Sequence, residues 1–193
     1  QGQPTGGDTT AMRMTIPNLI TSIRIILVPI FVIYVIQERF FSALMVFILA
    51  GLSDGADGLV ARLFDQKSKL GAYLDPLADK ILLIAAFVVL SVRGFLPPWL
   101  TVVVISRDVL ILLGVLILFL SGAAFTVRPS VLSKVTTCFQ LGTVFVVLSK
   151  SYIGFFSQLN YPLFWITGLL TISSGLHYMR FWFRVMGEGS LSD

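Results

Sequence analysis

Residues 40–62 read FFSALMVFILAGLSDGADGLVAR, an apolar run without a charge as far as Ser53 that then takes in Asp54 and Asp57 before it ends at Arg62. About 20 apolar residues in a helix cross the roughly 30 Å of hydrocarbon in a bilayer, so this stretch reads as a membrane span. A carboxylate near the middle of such a span costs about 2.5–3.5 kcal/mol, less toward the interface. Acids in that position need partners or a ligand, which makes the segment both a structural and a functional signal.

Five comparable runs surround it: Leu19–Gln37 before it, then Ala72–Val92, Pro98–Leu120, Leu132–Ser149 and Tyr161–Phe183. The first carries Arg24 and Pro29 and leads into further spans, which is unlike a signal peptide. With 193 residues, 56% of them hydrophobic and 12% charged, and a mean hydropathy of +0.91, the chain has no room for a sizeable soluble domain. The expected fold is therefore all-α, a polytopic membrane protein with six transmembrane helices joined by short loops. Residues 1–13 read as a disordered tail or a cloning remnant, 14–186 as one six-helix catalytic domain and 187–193 as a short polar tail.

Arg13, Arg62, Lys67, Lys69, Arg128, Lys134, Arg180 and Arg184 alternate onto one side, against Arg39, Arg93 and Lys150 on the other. The positive-inside rule then makes both termini cytoplasmic. The same rule accounts for the net charge of +4 without a nucleic-acid partner. The single cysteine, Cys138, excludes an internal disulfide and reads as a core or lipid-facing residue.

Asp54, Asp57, Gly58 and Ala61 recur at i, i+3, i+4 and i+7, one stripe of a helix, and Asp75 and Asp79 at i, i+4 open the next helix. Two antiparallel helices can direct all four carboxylates to one place. An all-oxygen site of this kind suits hard divalent cations such as Mg²⁺, Mn²⁺ or Ca²⁺, and neither His177 nor Cys138 is placed to favour zinc. Two divalent ions would balance the four charges. Gly58 and Ala61 leave the stripe bare for close approach, Arg62 offers a planar cation, and Lys67, Lys69, Lys80, Arg107, Arg128 and Lys134 fall at the same cytoplasmic level. Metal with a phosphorylated substrate is the natural pairing.

The stretch from Asp54 to Asp79, DGADGLVARLFDQKSKLGAYLDPLAD, resembles the signature of the CDP-alcohol phosphotransferases: Asp, two residues, Asp-Gly, two residues, Ala-Arg, eight residues, Gly, three, Asp, three, Asp. All eight fixed positions match, and the likeness extends to the opening IPNLITSIRIILVP and the six-span layout. Gly55 and Ala56 depart from the bulkier residues expected between the first two acids, and Gly51 to Gly55 has the GxxxG form of close helix packing. Asp75-Pro76 reads either as a helix start or as a kink.

The resemblance implies a divalent-metal-dependent enzyme, using Mg²⁺ or Mn²⁺ and two ions, that displaces CMP from CDP-diacylglycerol with an alcohol hydroxyl. It implies Asp54, Asp57 and Asp75 as metal ligands, Asp79 as a ligand of the second metal and the general base, and Asp54, Gly58, Ala61, Arg62 and Gly71 around the CDP moiety. An acid that contacts metal weakly keeps proton affinity that fully committed ligands lose, which favours Asp79 as the base. Arg107 and Lys134 look like ligands of the acceptor phosphate, although Arg107-Asp108 also reads as a self-neutralising pair at a helix end and Lys134 as a positive-inside anchor. The surrounding segments are similar to the branch that makes anionic phospholipids. The acceptor is then phosphatidylglycerol or glycerol 3-phosphate, and the sequence does not choose. A homodimer in a bacterial inner or plasma membrane, with its active site on the cytoplasmic side, is also implied. The rival class is an ion-coupled transporter, which would spread its acids toward the midplane and across inverted repeats rather than gather them on one helix pair.

Overall fold

The computed structural model describes residues 16–64, 71–120, 131–149 and 156–189, with side chains for part of each helix. Six helices and no strand occur among them: α1 (Ile16–Ile36), α2 (Phe40–Phe64), α3 (Gly71–Val92), α4 (Pro98–Leu120), α5 (Val131–Ser149) and α6 (Phe156–Gly189). The first five lie within three residues of the apolar runs at either end. The sixth runs further, starting five residues before Tyr161 and continuing through Gly189, past the point where a polar tail was expected. Hydropathy marks where a helix is apolar, whereas backbone hydrogen bonding carries on through Ser157, Gln158 and Asn160 and through Pro162 inside the helix.

Two tight turns fix the direction of the first four helices. α1 ends in a double-bonded cap: the Arg39 N–H donates to Tyr34 O (2.9 Å) and the Glu38 N–H to Val35 O (3.1 Å), with Glu38 in the left-handed region at φ 59°. α3 ends in the same way, with the Phe95 N–H donating to Leu90 O (2.8 Å), the Gly94 N–H to Ser91 O (2.9 Å), and Gly94 at φ 76°. Arg93 beside the second turn donates to Glu38 in the first, and Phe40 meets Phe95 edge-on at 4.9 Å. Both turns therefore lie at one end of the bundle. The end of α2 and the start of α3 lie at the other.

α1 packs against α2 and α3, α5 against α2, α3 and α6, and α4 against α3 and α6. Phe31, Phe47, Phe87, Leu100, Val104 and Leu148 belong to one apolar core that draws on α1 to α5. A polar seam joins α5 to α6. Thr136, Gln140 and Thr143 recur at i, i+4, i+7, as do Thr167, Thr171 and Ser174, and all six are fully buried. Thr136 Oγ1 donates to Leu170 O (3.2 Å), Gln140 Nε2 to Thr171 Oγ1 (3.3 Å), and the hydroxyls of Thr143 and Thr167 meet at 2.8 Å.

The outer surface is the apolar one. Ile26, Leu52, Val102, Trp165 and Leu169 are each at least 60% exposed. Val131–Ser149 is long and apolar enough to cross a membrane, and Ile25–Ile36, Phe40–Ser53 and Lys80–Val92 are shorter apolar stretches. Gly51, where close packing was expected, is exposed, and a Cβ built there would meet nothing within 4 Å among the described residues. Cys138 is exposed on α5.

Candidate active site

The signature divides between two helix ends. Asp54, Asp57, Gly58, Ala61 and Arg62 lie in the last eleven residues of α2, and Gly71, Asp75 and Asp79 in the first nine of α3. Since the tie between Glu38 and Arg93 holds the opposite ends of these helices together, both groups belong to the same end of the bundle. α3 begins at Gly71, so Asp75-Pro76 lies inside the helix and is not its start. The side chains of all eight signature residues lie outside those described, as do Lys67, Lys69 and Arg128. The donor set is four carboxylates on two consecutive helices at one end of the bundle, with no softer ligand between them in sequence. That chemistry fits hard divalent ions.

Lys80, the residue after Asp79, begins the part of this end whose side chains are described. Its Nζ donates to both carboxylate oxygens of Asp108 on α4, each at 2.9 Å. Arg107 Nη1 donates to the same carboxylate at 2.6 Å, and Arg107 Nη2 to Ser133 Oγ of α5 (2.5 Å) and Ser174 Oγ of α6 (3.2 Å). Four helices thus meet at one ion cluster. The Asp108 side chain is 1% exposed, that of Arg107 3% and that of Lys80 27%.

The cluster corrects the simpler reading of Arg107-Asp108. The pair exists, but it occupies the tenth and eleventh positions of a 23-residue helix, away from either end, and a third charge completes it. Among the described residues two cations share one carboxylate, a formal excess of one positive charge, with Arg107 and Asp108 buried and Lys80 partly exposed. Arg107 Nε is also buried with no hydrogen-bond partner. Such a group is costly in a low-dielectric interior unless an anion comes near. α6 backs closely onto the arginine stem: a Cβ on Gly175 would sit 3.7 Å from Arg107 Cγ.

Lys134, the other residue expected at an acceptor phosphate, is exposed in the first turn of α5, next in sequence to the Ser133 that Arg107 contacts. Sequence reading missed Ser133, Ser174 and the commitment of Lys80 to Asp108. A lysine and an aspartate placed within apolar helices were the available signal, but their 28-residue separation hid the pairing. His177 meets the ring of its sequence neighbour Tyr178 edge-on at 6.5 Å on α6.

Residues 14–185 match the model of the CDP-alcohol phosphatidyltransferase family. The chain is 35% identical over 184 residues to the human cardiolipin synthase (CMP-forming), a match covering 86% of this chain and 61% of that protein. It is 35% identical over 130 residues to the CDP-diacylglycerol–glycerol-3-phosphate 3-phosphatidyltransferase of Aquifex aeolicus, covering 65% of this chain and 71% of that one. A putative cardiolipin synthase of Mycobacterium tuberculosis is 32% identical over 139 residues, covering 71% of this chain and 66% of its own length. The chain thus spans about three-fifths of the human relative. With a family match running from before α1 nearly to the end of α6, and the eight signature residues placed at one end of the bundle, the chain belongs to the CDP-alcohol phosphatidyltransferase family.

Proposed function

We propose that the protein is an integral-membrane transferase that moves the phosphatidyl group of CDP-diacylglycerol to a phosphate-bearing alcohol, releasing CMP. The observation that carries this reading is the complete signature, divided between the end of α2 and the start of α3, within a family match to residues 14–185. The acceptor is phosphatidylglycerol or glycerol 3-phosphate, the two activities named in the relatives. Family membership favours group transfer over ion-coupled transport.

In this mechanism Asp54, Asp57, Asp75 and Asp79 would hold two Mg²⁺ or Mn²⁺ ions. When bound, the ions supply neutralising charge for the pyrophosphate and for the departing CMP. Arg62 supplies a guanidinium to the CDP moiety, and Gly58, Ala61 and Gly71 leave room for it. Asp79 takes the proton of the acceptor hydroxyl as that oxygen forms its bond to the phosphatidyl phosphorus, and the phosphorus–oxygen bond to CMP breaks in line. Lys134 and Arg107 favour an acceptor that carries phosphate.

Six membrane crossings are part of the proposal. The helices have 19 to 34 residues, and at 1.5 Å per residue the shortest spans about 28 Å. Many large apolar side chains face outward although Thr136, Gln140, Thr167 and Arg107 are buried, a distribution that suits a lipid surround. The positive-inside count then puts both termini and the acid end in the cytoplasm. A homodimer is proposed on the family resemblance.

The test offers purified protein CDP-diacylglycerol and Mn²⁺ or Mg²⁺ with each acceptor in turn and weighs the product. Cardiolipin or phosphatidylglycerophosphate identifies the acceptor. No CMP release with either, in metal-loaded folded protein, overturns the reaction.

A further inference from the structure

Asp108 is the only carboxylate in the ion cluster among the described residues, yet it has no place in the reaction as derived. It accepts from Lys80 through both oxygens and from Arg107 through one, while Arg107 reaches Ser133 and Ser174. One buried side chain therefore decides where two cations sit relative to α3, α5 and α6 together. Lys80 extends this hold to the helix that carries Asp75 and Asp79, since it is the next residue of α3.

We propose that Asp108 is a positioning residue for the phosphate-bearing acceptor, fixing Lys80 and Arg107 as a rigid pair at the acid end of the bundle and acting through them without touching substrate. The inference rests on the reaction proposed above. Two observations separate it from a plain structural ion pair. Arg107 Nε is buried without a partner, and among the described residues the trio keeps one formal positive charge in excess, so those residues alone do not complete the cluster. A purely structural arrangement would be expected to satisfy each buried charge and donor within the protein.

The proposal predicts a sign opposite to that of simple charge attraction. Asp108→Asn keeps the shape of the side chain and raises the excess from one positive charge to two. If long-range attraction alone recruited the acceptor phosphate, the variant would bind it more tightly. Loss of the fixed geometry makes binding weaker instead, because charge-assisted hydrogen bonds depend on alignment.

The experiment compares wild type, Asp108→Asn, Asp108→Glu and Lys80→Met/Asp108→Asn in nanodiscs. It measures KM for acceptor and for CDP-diacylglycerol separately, and the rise in Tm given by glycerol 3-phosphate and by a short-chain phosphatidylglycerol. Asp108→Asn is expected to raise the acceptor KM about tenfold or more while the CDP-lipid KM stays within about threefold. Asp108→Glu recovers part of the loss. The double variant, which restores the single excess charge but not the geometry, keeps the acceptor KM high. An unchanged or lowered acceptor KM in folded Asp108→Asn overturns the role, as does full recovery in the double variant or an equal rise in both KM values. If Asp108→Asn does not fold, Asp108→Glu decides: a raised acceptor KM with a normal CDP-lipid KM supports the role, and a normal acceptor KM overturns it. Wild type that releases no CMP sinks the reaction and not the positioning role, which the two acceptor shifts still test: a shift with either acceptor in wild type that Asp108→Asn abolishes supports it, and an equal shift in both proteins, or none with either acceptor, overturns it.

Discussion

Single side chains divide into those whose role follows from spacing and those whose role follows from contact. The aspartates belong to the first kind: i, i+3 and i, i+4 intervals, together with the penalty for acids in an apolar run, mark Asp54, Asp57, Asp75 and Asp79 in the sequence itself. Asp79→Asn removes the proposed base and is expected to lower CMP release by about 10²-fold or more, with CDP-lipid still protecting the protein against heat. Near-normal turnover in a folded variant would falsify that assignment. Arg107 belongs to the second kind, because its hydroxyl partners stand 26 and 67 residues away in sequence. Ser174→Ala leaves Arg107 Nη2 with Ser133, and the lost bond is expected to cost about 1 kcal/mol in reversible unfolding in detergent.

At the level of helices and turns, what the sequence reveals is apolarity, and what it conceals is where hydrogen bonding stops. The bounds of α4 coincide with the apolar run Pro98–Leu120, whereas α6 extends beyond its run at both ends because polar residues can prolong a helix that hydropathy would close. The two capped turns carry a prediction. Gly94 adopts φ 76° and a Cβ there meets nothing within 4 Å, so Gly94→Ala is penalised by backbone conformation alone. The expected loss is about 1 kcal/mol, read as a shift of the unfolding midpoint. Gly168 gives the contrasting case. A Cβ there would lie 2.6 Å from Trp99 Cζ3, whose ring stacks on Trp165 at 5.0 Å. Gly168→Ala is expected to cost about 1–3 kcal/mol and to alter the tryptophan emission, since α6 and the ring must move apart.

For the molecule as a whole, the architecture was legible because a chain this apolar has few alternatives, while the polar interior was not. Nothing in a hydropathy profile says that Thr136, Gln140 and Thr143 turn inward toward Thr167 and Thr171 while Leu52, Val102 and Leu169 face out. The topology is testable with the one native thiol removed. In a Cys138→Ser background, Glu38→Cys is expected to react with an impermeant maleimide from outside intact cells, and Arg128→Cys only after the membrane is opened. The reverse pattern would invert the orientation and place the acid end away from the cytoplasm.

The ion cluster also has a history within each chain. Lys80, Arg107 and Asp108 all precede α5, so the carboxylate meets both of its cations among the first four helices, whereas Ser133 and Ser174 emerge later from the ribosome. Under the proposed six-span topology, a growing chain would bring α4 into the bilayer with its arginine already matched by an acid. The last two helices arrive carrying hydroxyls that dock onto a charge pair assembled before them.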